Sequence, residues 1–315
     1  MASQGEQTPS GHPPKVANGL FPEPIVVLPQ LDCRQTFIIL HGRGSTAQLF
    51  APPLLETAAI SGEKLQTAFP HAKLIFLTAS RNRATIYKRS YTHQWFDHWH
   101  ITEPNKRQDL MREGLHKSCE YIHGILQQEI KLVGQENVVL WGLSQGCAMS
   151  LTALLTWDGE QFAATVGMCG YLPFANHIRE IAKGGNSESG DDIFGQGEDE
   201  NLLSHSENED YDNNLFEKDS SVKEDLSTQA VMFLRKEIDM DAKVGMVFRE
   251  IPVFLGHGID DEKVPIEIGQ EANTCLELVG ADVQMVEYEG LGHWYSDKML
   301  SDIFDFLKEK LSTKS

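Results

Sequence analysis

Five short runs, TFIIL (36–40), KLIFL (73–77), VVLW (138–141), PVFLG (252–256) and VQMVEY (283–288), have the composition of β-strands, and several are apolar at every position. A strand apolar on both faces must be covered on both faces. Between the second and third runs, Met111, Leu115, Cys119, Ile122, Leu126 and Ile130 recur at helical spacing. Leu300, Ile303, Phe304, Leu307 and Leu311 repeat that pattern near the C-terminus. Strands alternating with amphipathic helices predict an α/β fold, a mostly parallel central sheet with helices on both faces. Residues 25–315 are read as this one domain.

Two segments fall outside the pattern. The first 24 residues are rich in Pro, Gly, Ser and Gln and are expected to form a flexible tail. Residues 184–225 carry fourteen acidic residues against two lysines, with few apolar residues and no periodicity. They are expected to be a disordered acidic insertion, either a solvated loop or a segment that docks a partner. A calcium loop at Asp210, Asp212 and Asn214 fails, because Leu215 stands where such a loop needs Gly and Ser221 where it needs Glu.

Charge and cysteines narrow the functional class. A net charge of −19 argues against a nucleic-acid partner, and it would be repelled by anionic lipid surfaces. No run approaches the ~18 apolar residues of a membrane span, and the N-terminus lacks a signal-peptide stretch. The five cysteines are odd in number, widely spaced and free of any CxxC pair, which suits reduced thiols and a cytoplasmic location. The oligomeric state is left open.

The chemistry concentrates in three places. VVLWGLSQGCAMS sets Ser144 between Gly142 and Gly146 where a strand gives way to a helix. Such a motif could mark an ordinary N-cap serine, but in this context it reads as a nucleophile elbow, whose glycines let a strained turn expose the hydroxyl. An acid and then a histidine should follow in chain order. PVFLGHGIDDEKVP offers Asp260, Asp261 and Glu262 after one strand, and YEGLGHWYS offers His293 after the next. Asp261 would orient His293, which would take the proton of Ser144. Backbone N–H groups of Gln145 and of the HGRGS loop, Arg43 first and Gly44 next, are the candidate oxyanion donors. His257 is read as structural. The cluster His93, Asp97, His98 and His100 among Trp95, Phe96 and Trp99 reads as an apolar wall in preference to a metal site. A serine mechanism requires no metal and no cofactor.

Taken together, ILHGRGS, RATIYKRSYTHQWFD, GLSQG, HGIDDEKVP and YEGLGH resemble the phospholipase/carboxylesterase family of α/β-hydrolases, which includes acyl-protein thioesterases. The resemblance spans roughly Thr36 to Leu311. It implies that Asp261, the fifth residue of an HGxxDxxVP motif, is the acid, beside Ser144 and His293. It also implies an ester or thioester substrate, an S-acylated protein being the first candidate. A small-molecule ester hydrolase of a specialised pathway is the alternative, and a non-catalytic binding protein on the same fold is a further one. HGRGS departs from the HGLGD common among thioesterases, and the acidic insertion has no counterpart in them.

Overall fold

The computed structural model describes residues 18–103, 106–185, 225–241 and 245–312. Among these, the strands are β1 (Ile25–Val27), β2 (Gln35–Leu40), β3 (Ala72–Leu77), β4 (Arg81–Ala84), β5 (Ser90–His93), β6 (Val138–Leu143), β7 (Ala164–Met168), β8 (Val253–Gly258) and β9 (Val283–Tyr288). The helices are α1 (Ala47–Glu56), α2 (Leu65–Ala68), α3 (Asp109–Val133), α4 (Gln145–Leu155), α5 (Ala175–Ala182), α6 (Leu226–Glu237), α7 (Ile266–Leu278) and α8 (Asp297–Ser312). Seven strands make one sheet in the order β1-β3-β2-β6-β7-β8-β9. All its pairs are parallel except β1–β3. β4 and β5 form a separate antiparallel hairpin.

Alternation along the strands explains why helices cover both faces. On β2, Phe37 and Ile39 pack with residues of α1, α2 and α8, whereas Ile38 and Leu40 pack on the other side with α3 and α4. The α3 residues expected from helical spacing, Met111 to Ile130, are all buried.

The five expected runs are all strands; β1, β7 and the β4–β5 hairpin lay outside that expectation. β7 reads ATVGM, and Ala and Gly are poor strand formers. Their smallness has a packing reason: a Cβ on Gly167 would lie 2.5 Å from Cys147 Sγ of α4.

The expected N-terminal tail spans residues 1–24. Residues 1–17 lie outside the described residues, but Phe21 stacks on Tyr121 with ring centroids 4.1 Å apart. An aromatic pair of this kind docks the segment onto α3. Of the acidic insertion, residues 186–224 lie outside the described residues, including the rejected calcium loop. Its ends belong to the fold. Gly184 N–H donates to the Ile181 carbonyl at 2.9 Å, and Asp225 caps α6 by accepting the Thr228 N–H at 2.7 Å.

Candidate active site

The turn from β6 into α4 is built around two missing side chains. A Cβ on Gly142 would meet the Gly146 carbonyl at 2.2 Å, and one on Gly146 would meet the Leu40 carbonyl at 2.4 Å. With both positions bare, α4 can start directly against the neighbouring backbone. The cost is concentrated at Ser144, which adopts φ 57° and ψ −120°, a conformation that L-residues rarely hold. Its N–H extends the sheet ladder by donating to the Met168 carbonyl at 2.8 Å. Although it occupies the N-cap position, its side chain makes no capping bond, which removes the ordinary N-cap reading.

The hydroxyl is used elsewhere. Ser144 Oγ donates to His293 Nε2 at 2.9 Å, and His293 Nδ1 donates to Asp261 Oδ2 at 2.7 Å. Asp261 Oδ1 accepts the Lys263 and Val264 N–H groups, each at 2.9 Å. The loops after β6, β8 and β9 thus bring the three sequence-selected residues together at the carboxyl edge of the sheet, where open α/β sheets bind ligands. Asp260 and Glu262, the competing acids, take no part in this chain; Asp260 instead donates its N–H to the Leu291 carbonyl at 3.0 Å. Burial alone would raise the Asp261 carboxyl. Hydrogen bonds from His257 and His293 and the Val264 amide outweigh it and hold the group well below the usual carboxylate range.

Two elements supply backbone donors near Ser144. Gln145 is the first residue of α4, so its N–H has no partner within the helix. In the HGRGS loop, Gly44 donates its N–H to the His93 carbonyl at 2.8 Å and Ser45 donates to Gly42 at 3.2 Å. Gly44, the second-choice donor from the sequence, is therefore engaged.

The aromatic cluster after β5 closes one side. Trp95 and Phe96 are buried, and His98 faces a cavity of about 270 Å³ that Ser144, Gln145, His293 and Trp294 also line. The four polar residues of the segment go separate ways. His93 bonds the Ala79 carbonyl, Asp97 accepts from Thr85, His98 accepts from Arg43, and His100 bonds Thr102. Among the described residues, three metal-type donors converge at Cys169, Asp261 and His293, within 4.8 Å of one another. The last two spend those atoms on each other, and Cys169 Sγ donates to the Trp294 carbonyl at 3.2 Å.

With this geometry in hand, the chain can be placed among known proteins. The profile of the Phospholipase/Carboxylesterase family matches residues 22–189 and 230–311. The chain belongs to this family. Other proteins similar to this phospholipase/carboxylesterase family member include acyl-protein thioesterase 1 of Candida albicans, 23% identical over 276 residues that cover 86% of this chain and 90% of the relative. A probable carboxylesterase SOBER1-like of Arabidopsis thaliana is 24% identical over 285 residues, covering 89% and 81%. Among solved structures, acyl-protein thioesterase 2 of Zea mays superposes with a TM-score of 0.60 at 19% identity, covering 92% of this chain and 99% of that one. That likeness establishes the α/β-hydrolase fold. No helix among the described residues of this family member is long and apolar enough to cross a membrane.

Three supporting residues escaped the sequence reading in their details. His257, expected to be structural, lies 3.5 Å from Asp261 Oδ2 while donating to the Val264 carbonyl at 2.8 Å, so it backs the acid directly. His41 accepts the Ala79 N–H at 3.0 Å, and its carbonyl accepts Trp95 Nε1–H at 2.8 Å. Cys169, with φ 48°, follows β7, the strand that the hydropathy pattern hid. The one sequence signal for His257 and His41 was their position at strand ends beside glycine.

Proposed function

We propose that this chain hydrolyses carboxylic esters or thioesters through an acyl-enzyme on Ser144. The observation that carries the reading is the hydrogen-bonded chain Ser144–His293–Asp261 on a strained elbow whose hydroxyl caps nothing. In the reaction, Ser144 Oγ attacks the substrate carbonyl while its proton passes to His293 Nε2. The imidazolium that forms is stabilised by Asp261, which stays ionised. The oxyanion accepts from the N–H groups of Gln145 and Arg43, at the positive end of α4. Collapse breaks the bond to the leaving alcohol or thiol, which takes the proton from His293. Water then repeats the sequence on the acyl-enzyme and frees the acid.

The relatives named acyl-protein thioesterases support S-acylated protein as a substrate, and the five free cysteines support a cytoplasmic setting. The small cavity, about 270 Å³ and just below the ~300–1,000 Å³ of ligand pockets, favours the second reading, a small-molecule ester. The experiment is steady-state hydrolysis of matched short- and long-acyl esters and thioesters by the wild type and Ser144→Ala, with fluorophosphonate labelling of both. Turnover and labelling lost together in Ser144→Ala support the mechanism; equal rates in both proteins reject it. A long-acyl thioester preference selects protein deacylation, and a short-acyl preference selects the small ester.

A further inference from the structure

The cavity over Ser144 has an unusual electrostatic character for so acidic a chain. Acidic residues outnumber basic ones 46 to 27, yet no carboxylate lines this cavity, and Arg43 and Lys263 both do. Elsewhere Arg107 pairs with Asp109, Arg112 with Glu237, Arg179 with Glu271 and Arg235 with Asp158, while Arg81 and Arg83 lie over the Tyr91 ring. Among the described residues neither Arg43 nor Lys263 has an acidic partner.

Arg43 is held in place by neutral groups. Its guanidinium lies over the Tyr87 ring, 5.3 Å from the centroid, and Nη1 donates to His98 Nε2 at 2.8 Å. Tyr171 OH approaches the other ring nitrogen of His98 at 3.5 Å. Burial and then the neighbouring Arg43 push His98 down to about 3, so the imidazole remains an uncharged acceptor and leaves the arginine charge uncompensated. A half-buried cation without a counter-charge is costly unless an anion completes it, and a guanidinium fork suits a carboxylate. Arg43 meets His98 through Nη1, so Nε and Nη2 remain as further donors.

We propose, building on the ester-hydrolase reading above, that this pocket selects esters bearing a second group that is a carboxylate, received by Arg43 with Lys263. Their side chains determine specificity and need no part in bond cleavage, which uses only the Arg43 backbone N–H. A charge already fixed in the pocket attracts its partner without the entropy of ordering a free side chain. Phe50, Ile101 and Trp294, on the same cavity wall, cover the short carbon spacer between the carboxylate and the scissile carbonyl.

The test compares isosteric substrates on the full-length protein. Methylumbelliferyl hexanoate and mono-adipate differ at the far acyl end, methyl against carboxylate. Hexanoyl esters of a neutral phenol, of hydroxybenzoate and of hydroxyphenyl phosphate carry the contrast to the leaving-group side and separate carboxylate from phosphate. In the wild type, kcat/KM for a carboxylate arm should exceed that of its neutral counterpart by about tenfold, mainly through KM. Arg43→Met should bring that ratio to within about twofold, with Lys263→Met falling between. The ratio is internal to each protein, so a general loss of active enzyme cancels. Equal rates in all arms of a wild type that Ser144→Ala silences would overturn the proposal and leave the hydrolase standing. So would a preference confined to phosphate, or one that survives both substitutions. No turnover of any ester, with no fluorophosphonate labelling, would instead remove the underlying reading and the proposal with it.

Discussion

Gln145 clamps Trp95: its side-chain Oε1 accepts the Trp95 N–H at 3.0 Å, while Nε2 donates to the next carbonyl, that of Phe96, at 2.8 Å. One buried amide thereby ties the Ser144 turn to the aromatic wall of the cavity. Gln145→Leu keeps the volume and leaves both backbone groups unpaired. Each stranded group costs roughly 1–3 kcal/mol, so chemical denaturation should show a marked loss of stability. KM should rise more than kcat falls, because the wall moves while Ser144 and His293 remain bonded. An unchanged denaturation midpoint would contradict the clamp.

Strain at Ser144 separates two variants that lack the hydroxyl. Glycine adopts φ 57° without penalty, whereas alanine keeps the clash. Ser144→Gly should unfold at higher denaturant than Ser144→Ala, by about 1 kcal/mol, although neither turns over ester. Equal stability of the two variants would mean that the elbow stores no strain.

Asp261 sets an acid-side signature. Its folded pKa is depressed, so its contribution to stability is present above the unfolded value of about 3.9 and is lost as pH falls below that. The stability gap between wild type and Asp261→Asn should therefore be full near neutral pH and narrow progressively as pH falls below about 4 toward the depressed folded value. Turnover in the variant should drop by a factor on the order of 10⁴, through loss of the correct histidine tautomer. A gap that stays constant with pH, measured by urea unfolding, would count against the role assigned to this carboxylate.

His41 titrates in a higher window. Burial pushes it down to about 4, since its Nε2 accepts from Ala79 and protonation would set two donors face to face. An unfolded chain binds that proton near pH 6.5. The contribution of neutral His41 is thus complete above about 6.5 and declines as pH drops from there toward 4, by up to about 1.4 kcal/mol per pH unit. His41→Gln should be less stable at pH 7 and lose less between pH 7 and pH 5 than the wild type does. Parallel losses in the two proteins would show that another group governs this range.

Much of the architecture and of the site was legible because each rested on local rules. The apolar runs at 36–40, 73–77, 138–141, 252–256 and 283–288 announce strands by composition, and Gly142 and Gly146 announce a turn by what they lack. β7 was hidden because its residues are chosen for what crosses them: Gly167 makes room for Cys147, a contact that no window of neighbouring residues contains. Phe21 was concealed in the same way, its ring partner Tyr121 lying far along the chain on α3. At the site, spacing left Asp260, Asp261 and Glu262 in competition, and the family motif pointed to Asp261. The Asp261–His293 bond at 2.7 Å joins residues from two different loops, a meeting that the order of the chain implies but does not position. His98 was grouped with its histidine neighbours by sequence, whereas its bond to Arg43 reaches back across the hairpin.

The two ends of the acidic segment meet: a Cβ on Gly184 would lie 3.2 Å from Leu226 Cδ1, the first residue of α6. Entry and exit share one spot at the junction of α5 and α6. A short linker from Gly184 to Leu226 would span this gap, so the junction is the natural place to splice a reporter domain or an affinity handle without re-routing the strand order that aligns Ser144, Asp261 and His293.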